Sequence, residues 1–196
     1  MRGQFTTKTI GSILLGLLLG GPWSSAMAQY DQEELVLNRT QLLIKYSAGL
    51  SMGHREKLKS WLNSVTATML LLNGEPSRPK LRIVLEAYPS AKGPVPFGKI
   101  IRRDPEGVKF YVNPNQSLDN FISDWTAYHE LTHLYIPYPG QADIWFSEGL
   151  ASYYQNVMQY RAGLLSEREA WQKLVSGFER GRKDNRAPDL TLTELS

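Results

Sequence analysis

The chain has 196 residues, a net charge of +3 and no cysteine. Hydrophobic residues make up 42% and charged residues 21%, which excludes a disordered chain, a collagen, a coiled coil and a polytopic membrane protein. Without cysteine there are no disulfides and no thiolate ligands, so any metal ion must be held by His, Asp or Glu. The slight positive charge is not gathered into a basic, aromatic-rich patch, and we expect no nucleic-acid partner.

The first 28 residues have the pattern of a secretory signal peptide. Arg2 and Lys8 give a positive start, residues 10–21 are apolar, and a small-x-small cleavage site ends the segment at 26–28. The apolar stretch is shorter than the roughly 20 residues that span a bilayer, which favours cleavage over a retained membrane anchor. We therefore expect an exported protein, periplasmic or secreted, with no stable membrane anchor and with one domain over residues 29–196.

Period-two patterns in the first half of the chain predict strands. The predicted strands cover 41–46, 81–87, 97–102 and 108–113. A turn at 104–107 joins the last two as a hairpin. Between the first two, apolar residues at three- and four-residue spacing predict a helix over 54–73, with Trp61 on its buried stripe. His54 at its start is expected to be a capping or solvated residue rather than a ligand.

Helical patterns follow the strands. One helix is predicted from Leu118, capped by Ser117, to about Ile136, where prolines stop it. Further helices are predicted over 143–160 and from Ser166, where the sequence has the form of a capping box, with Trp171 in the core. Strands followed by helices predict an α+β fold: a small mixed or antiparallel sheet in the N-terminal half, followed by a helical half.

Two of the three histidines lie four residues apart in the run His129-Glu130-Leu131-Thr132-His133. In a helix this spacing places both imidazoles on one face, within reach of a single zinc ion at about 2.0 to 2.1 Å. The competing explanation is a chance match with inert, exposed histidines. Two observations argue against a chance match. The run lies in a predicted helix, and the two histidines continue the apolar stripe of that helix. That stripe consists of Leu118, Ile122, Trp125 and Ile136.

Glu130 and Glu148 complete the candidate site. Glu130 points beside the metal position, where a carboxylate can take a proton from a zinc-activated water. Glu148 follows in the next helix, beyond the turn at 137–140, and side-by-side packing would bring it over the histidines as a third ligand. Two His, one Glu and an open fourth position are typical of a catalytic rather than a structural zinc site.

The histidine run, together with Trp145 to Tyr154 and the residues on to Arg182, resembles the gluzincin clan of zinc metallopeptidases. Within the clan the chain is most similar to the glycyl-aminopeptidase-like family, whose members often carry a PDZ domain. The resemblance implies one Zn²⁺ ion held by His129, His133 and Glu148, with Glu130 as general base. It also places Ser152 where the clan keeps a residue that steadies a ligand.

The chain departs from the clan pattern in three ways. It has no PDZ sequence, and it has no Gly-x-Met-Glu-Asn run of the kind that holds a free substrate amine in a related family. It also ends before the downstream Tyr or His that stabilises the oxyanion in clan members, so we expect a catalytic domain that is incomplete at its C-terminus. Exopeptidase specificity is therefore not supported.

These observations predict zinc-dependent hydrolysis of peptide bonds, with a peptide or protein as the substrate. One alternative is a zinc-binding module that binds peptides without cleaving them, because the oxyanion-stabilising residue is missing. Another is a zinc hydrolase that acts on cell-wall peptides. The patterns indicate neither a sequence preference nor an oligomeric state.

Overall fold

A computed structural model describes residues 30–184, so the predicted signal peptide lies outside the described residues. Within this range two strands come before the first helix and three strands come after it. Four more helices then follow. The strands are β1 (Tyr30–Leu37), β2 (Thr40–Ser47), β3 (Lys80–Ala87), β4 (Phe97–Ile101) and β5 (Gly107–Val112). The helices are α1 (Met52–Met69), α2 (Leu118–Ser123), α3 (Thr126–Thr132), α4 (Ile144–Arg161) and α5 (Glu167–Asp184).

The five strands form one mixed sheet in the order β1-β2-β3-β5-β4. The central strands β2, β3 and β5 are parallel, and β1 and β4 pair antiparallel at the two edges. Helix α1 makes the crossover between β2 and β3, which parallel pairing requires. The predicted α+β class is confirmed, and the sheet is mixed rather than wholly antiparallel.

One face of the sheet carries the hydrophobic core. Alternate residues of the central strands are buried there against α1 and the helices that follow it. Trp61 of α1 is completely buried, and its ring contacts those of Phe110 and Phe121 at centroid distances of 5.2 and 5.3 Å. The predicted core position of Trp61 is therefore confirmed. Trp171 was predicted to lie in the core of α5, but its side chain is 54% exposed, so that prediction is wrong.

The single helix predicted from Leu118 to about Ile136 is two helices in the structure. Asp124 has extended backbone angles (φ −69°, ψ 137°), and its Oδ1 accepts the backbone N–H of Thr126 at 2.8 Å. The Thr126 hydroxyl donates to the Val95 carbonyl at 2.9 Å, which fixes the start of α3 against the preceding loop. Asp and Thr side chains often form local hydrogen bonds with the backbone, and these replace the hydrogen bonds of a continuous helix. The prediction failed because the spacing of the apolar residues does not reveal that Asp124 interrupts the helix.

The break also changes the apolar stripe expected across this segment. Trp125, predicted to face the core with Leu118, Ile122 and Ile136, is 50% exposed. The large apolar side chains that are buried in this segment are instead those of Phe121, Tyr128, Leu131 and Leu134. Helix α3 ends at Thr132, and His133 follows it in helical conformation (φ −56°, ψ −22°). The two histidines therefore still lie one turn apart.

Strand β1 was not predicted. It is an edge strand with three acidic residues, and although half-buried and exposed residues alternate over 33–37, each set contains both charged and apolar side chains. The hairpin to β2 turns through Asn38 and Arg39, which both have positive φ (48° and 67°). A two-residue turn of this kind favours asparagine, so Asn38 was the available signal. Among residues 30–184, none of the helices is both long and apolar enough to cross a membrane.

Candidate metal centre

Three of the predicted site residues meet at one point between α3 and α4. His129, His133 and Glu148 each offer one ligand atom, and these atoms all lie within 4.8 Å of one another. His133 is buried, His129 is partly buried, and Glu148 is exposed at the mouth of the site. The sequence spacing brought the histidines together, but only the packing of α4 against α3 brings in Glu148.

The separations of the donor atoms fit a tetrahedral zinc ion. His129 Nε2 is 3.3 Å from His133 Nε2 and 3.1 Å from Glu148 Oε2. His133 Nε2 is 3.5 Å from Glu148 Oε1. Ligands held at about 2.0 to 2.1 Å by a tetrahedral ion lie roughly 3.3 to 3.4 Å apart. No rearrangement of the backbone is therefore needed for these side chains to hold one zinc ion.

The other ring nitrogen of each histidine is held by α4. His129 Nδ1 is 2.8 Å from Gln155 Oε1, and His133 Nδ1 is 2.9 Å from the hydroxyl of Ser147. An amide oxygen only accepts hydrogen bonds, so Nδ1 of His129 carries the proton and Nε2 keeps its lone pair for a metal. Gln155 and Ser147 thus orient the two imidazoles, and the pairing shows that α3 and α4 run antiparallel.

Sequence reasoning missed both of these contacts. The resemblance placed the steadying residue at Ser152, but Ser152 is exposed, and within residues 30–184 its hydroxyl makes no hydrogen bond. Gln155 lies seven residues after Glu148, two helical turns along the same face. That spacing was the available signal that Gln155 and Glu148 face the same neighbour. It identifies His129 as that neighbour only when the direction of α4 relative to α3 is known.

Glu130 lies on the side of α3 that faces strand β4. A Cβ added to Gly98 of that strand would fall 2.3 Å from Glu130 Cγ, so the carboxylate side chain passes directly over the strand backbone. Burial raises the pKa of Glu130; the nearby His129 lowers it, Glu148 raises it, and the net direction is upward. A carboxylate with a raised pKa is the stronger proton acceptor, as a general base requires.

The environment of His133 favours its neutral form. Burial lowers the pKa of His133, and this effect outweighs the opposing pull of the Glu148 carboxylate. Neutral imidazole is the form that binds metal ions, because a protonated ring has no lone pair to offer. Ser147, which contacts Nδ1, is itself buried.

An open cleft of about 450 Å³ leads to these residues. Its walls are strand β4, the loop between α3 and α4, and the first turn of α4. Glu130, His133 and Glu148 line it on the helix side, and Gly98 and Ile100 line the β4 wall. A second groove of about 610 Å³ lies between α4 and α5 and reaches His129 from the other side. Extended chains could therefore approach the three donors along β4.

His54 has the predicted capping role. Ser51 Oγ accepts the backbone N–H of His54 at 3.3 Å, and the backbone N–H of Ser51 donates to His54 Nδ1 at the same distance. This reciprocal capping box begins α1 and uses the histidine in a structural contact.

Comparison with known proteins supports the resemblance predicted from the sequence. The family model of the M61 glycyl aminopeptidase matches residues 135–194, a segment that contains Glu148 and begins just after His133. No curated protein matches the chain. A solved structure of an aminopeptidase N family protein from Idiomarina loihiensis is similar at 14% identity, with a TM-score of 0.42. The similarity covers 72% of this chain and 27% of that one.

The chain is therefore similar to a family of peptidases over its helical part, and the predicted M61-like character is confirmed there. Because the chain covers 27% of the length of the solved structure, it corresponds to a limited part of that protein.

Proposed function

We propose that this protein is a zinc-dependent peptidase whose single ion is held by His129, His133 and Glu148. The observation that carries the proposal is the convergence of the three donor atoms at separations of 3.1 to 3.5 Å, with both Nδ1 atoms engaged by α4. The match of residues 135–194 to a peptidase family supports the choice of peptide hydrolysis.

A zinc ion in such a site lowers the pKa of water and polarises the carbonyl to be attacked. Glu130 takes the proton of the attacking water and transfers it to the leaving amine. Its contact with Gly98 and its partial burial keep the carboxylate at the wall of the cleft, beside the three ligands and free of the metal position.

Strand β4 is the element expected to bind the substrate backbone. Within the described residues it pairs only with β5, so its outer edge offers N–H and C=O groups to another extended chain. Pairing with a strand edge recognises any peptide backbone and leaves sequence preference to the side-chain pockets. Gly98 and Ile100 of this strand line the cleft that contains Glu130.

The experiment is a measurement of metal content and peptide hydrolysis on the full chain and its Glu130→Gln variant. We expect one zinc per chain in both, hydrolysis of a peptide library by the parent only, and loss of that activity with a chelator. Absence of stoichiometric zinc, or a Glu130→Gln variant as active as the parent, would refute the proposal. Zinc and peptide binding without hydrolysis would instead support the non-catalytic binding module.

We also propose that the protein acts after export, as one domain over residues 29–196. The support is the positive start, short apolar stretch and small-x-small site of residues 1–28. N-terminal sequencing of the protein recovered from the periplasm or medium should begin at Gln29. A protein that retains Met1 in the cytoplasm would contradict export.

A further inference from the structure

Arg102 lies in the cleft beside the candidate metal centre. It directly follows β4 and continues the face of Gly98 and Ile100, because side chains two residues apart in an extended chain point the same way. All three line the same cleft as Glu130 and His133. The guanidinium is therefore placed where a peptide bound along β4 must pass.

The guanidinium group of Arg102 has no hydrogen-bond partner within residues 30–184. Arg102 Nη1 forms an ion pair with Glu106 Oε1 at 3.6 Å, a distance too long for a hydrogen bond. Glu106 is already bound to Arg78, whose Nε donates to its Oε2 at 2.9 Å. The donors of Arg102 are thus left for another ligand, although its side chain is only 32% exposed.

Tyr138 holds the guanidinium in position. The Cζ atom of Arg102 lies 5.1 Å from the centre of the Tyr138 ring, which belongs to the opposite wall of the cleft. Stacking on an aromatic ring restrains the planar group and leaves its N–H edge available. A restrained guanidinium edge is suited to the two oxygens of a carboxylate, with which it forms paired, charge-assisted hydrogen bonds.

We infer that Arg102 binds a carboxylate of the peptide substrate. The inference rests on the proposed function, because it takes the cleft along β4 to be the peptide site. The carboxylate has two sources, an Asp or Glu side chain or the free C-terminus of the peptide.

The experiment measures peptide binding by fluorescence anisotropy, with the zinc-loaded Glu130→Gln variant as the background so that no turnover is needed. Three labelled peptides of one sequence are compared: a Glu-containing peptide with an amidated C-terminus, its Gln counterpart with an amidated C-terminus, and that Gln peptide with a free C-terminus. We expect one of the two carboxylate peptides to bind about 10- to 100-fold more tightly than the neutral peptide, as charge-assisted hydrogen bonds predict.

Adding Arg102→Gln should abolish that difference, and Arg102→Lys should retain part of it. Arg103→Gln is the matched control, because Arg103 is the neighbouring arginine and does not line the cleft. Tighter binding of the Glu peptide assigns a side-chain carboxylate, and tighter binding of the free C-terminus assigns a terminal one. Equal binding of all three peptides, no binding of any, or equal loss of all three in Arg102→Gln would overturn the inference.

Failure of the proposed function gives a different result. If the parent chain hydrolyses no peptide but the zinc-loaded variant still distinguishes the carboxylate peptides through Arg102, catalysis is refuted and the inference stands. If the parent hydrolyses acidic and neutral peptides with the same kcat/KM, and Arg102→Gln changes neither, catalysis stands and the inference is overturned.

Discussion

Gly98 of strand β4 and Glu130 of helix α3 are in direct contact, and this contact places the Glu130 carboxylate against the β4 wall of the cleft. The Cβ of any other residue at position 98 would lie 2.3 Å from Glu130 Cγ and 2.7 Å from its Oε1. Atoms cannot approach so closely, and the absence of a side chain is what allows the carboxylate to lie over the strand. Glycine at 98 is therefore required by the position of the proposed base rather than by backbone freedom.

Gly98→Ala should abolish the proposed peptidase activity without weakening the proposed zinc site. The added methyl displaces Glu130 from the cleft wall, because the three atoms nearest to it all belong to Glu130 and none belongs to a proposed ligand. We expect kcat/KM to fall by about 100-fold or more, comparable to loss of a general base, with zinc affinity unchanged. Gly53→Ala is the control, since a Cβ at Gly53 meets nothing within 4 Å. Loss of zinc in Gly98→Ala would contradict the prediction.

Gln155 and Ser147 should determine zinc affinity through the histidines that they orient. Gln155→Leu and Ser147→Ala each remove the partner of one Nδ1 atom, at 2.8 and 2.9 Å respectively. Loss of such a partner weakens metal binding by about 10- to 100-fold. Competition with a chromophoric chelator measures this directly and does not depend on activity.

Ser152→Ala tests which residue steadies a histidine ligand. The structure assigns this role to Gln155, whereas the sequence resemblance assigned it to Ser152. Its hydroxyl makes no hydrogen bond within the described residues, so zinc affinity should be the same as that of the parent. A loss of affinity in Ser152→Ala with none in Gln155→Leu would show that the resemblance located the steadying residue correctly.

The break between α2 and α3 should contribute to stability through Asp124. Asp124→Ala leaves the Thr126 N–H without the carboxylate that accepts it at 2.8 Å, and the loss of such a cap costs about 0.5 to 2 kcal/mol. The free energy of unfolding in urea measures the effect. Asp143→Ala is the matched control, because Asp143 begins α4 without a side-chain capping bond. Equal destabilisation by the two substitutions would contradict the assignment.

Glu86 links three strands on the face of the sheet opposite the helices. Its carboxylate accepts a hydrogen bond from the Tyr30 hydroxyl of β1, and Lys109 Nζ of β5 lies 2.9 Å from it. Burial by itself would raise the pKa of Glu86, but the hydrogen bonds from Tyr30 and Lys109 outweigh it, and the pKa is lowered from 4.5. The ionised form is therefore favoured by folding.

Stability should consequently depend on pH through Glu86. A carboxylate whose pKa is lower in the folded state contributes its stability above the unfolded value of 4.5, and loses it as pH falls through the folded value. Glu86→Gln should lower the free energy of unfolding by about 1 kcal/mol at neutral pH and by much less in acid. Glu34→Gln, on exposed β1, is the control. A constant difference from acid to neutral pH would contradict the prediction.

Much of the fold follows from local patterns in the sequence. Alternation over 81–87 predicted β3, and the turn at 104–107 predicted the hairpin of β4 and β5, because side-chain burial in a strand repeats every two residues. Strand β1 escaped prediction because its half-buried positions include Glu33 and its exposed positions include Val36, so its apolar residues do not alternate. The predicted helix from Leu118 failed at Asp124, where one carboxylate redirects the backbone in favour of a contact with Val95, 31 residues earlier in the chain.

The types of ligand follow from composition and spacing. Because the chain has no cysteine and has histidines at 129 and 133, any metal site there uses two nitrogen donors from one helical turn and oxygen donors from elsewhere. The source of the oxygen donor and the supporting contacts depend on helix packing: the antiparallel packing of α4 brings Glu148 to within 3.1 Å of His129 and puts Gln155 rather than Ser152 behind it. Spacing along one helix is fixed by 3.6 residues per turn, whereas the alignment of two helices depends on which side chains pack between them.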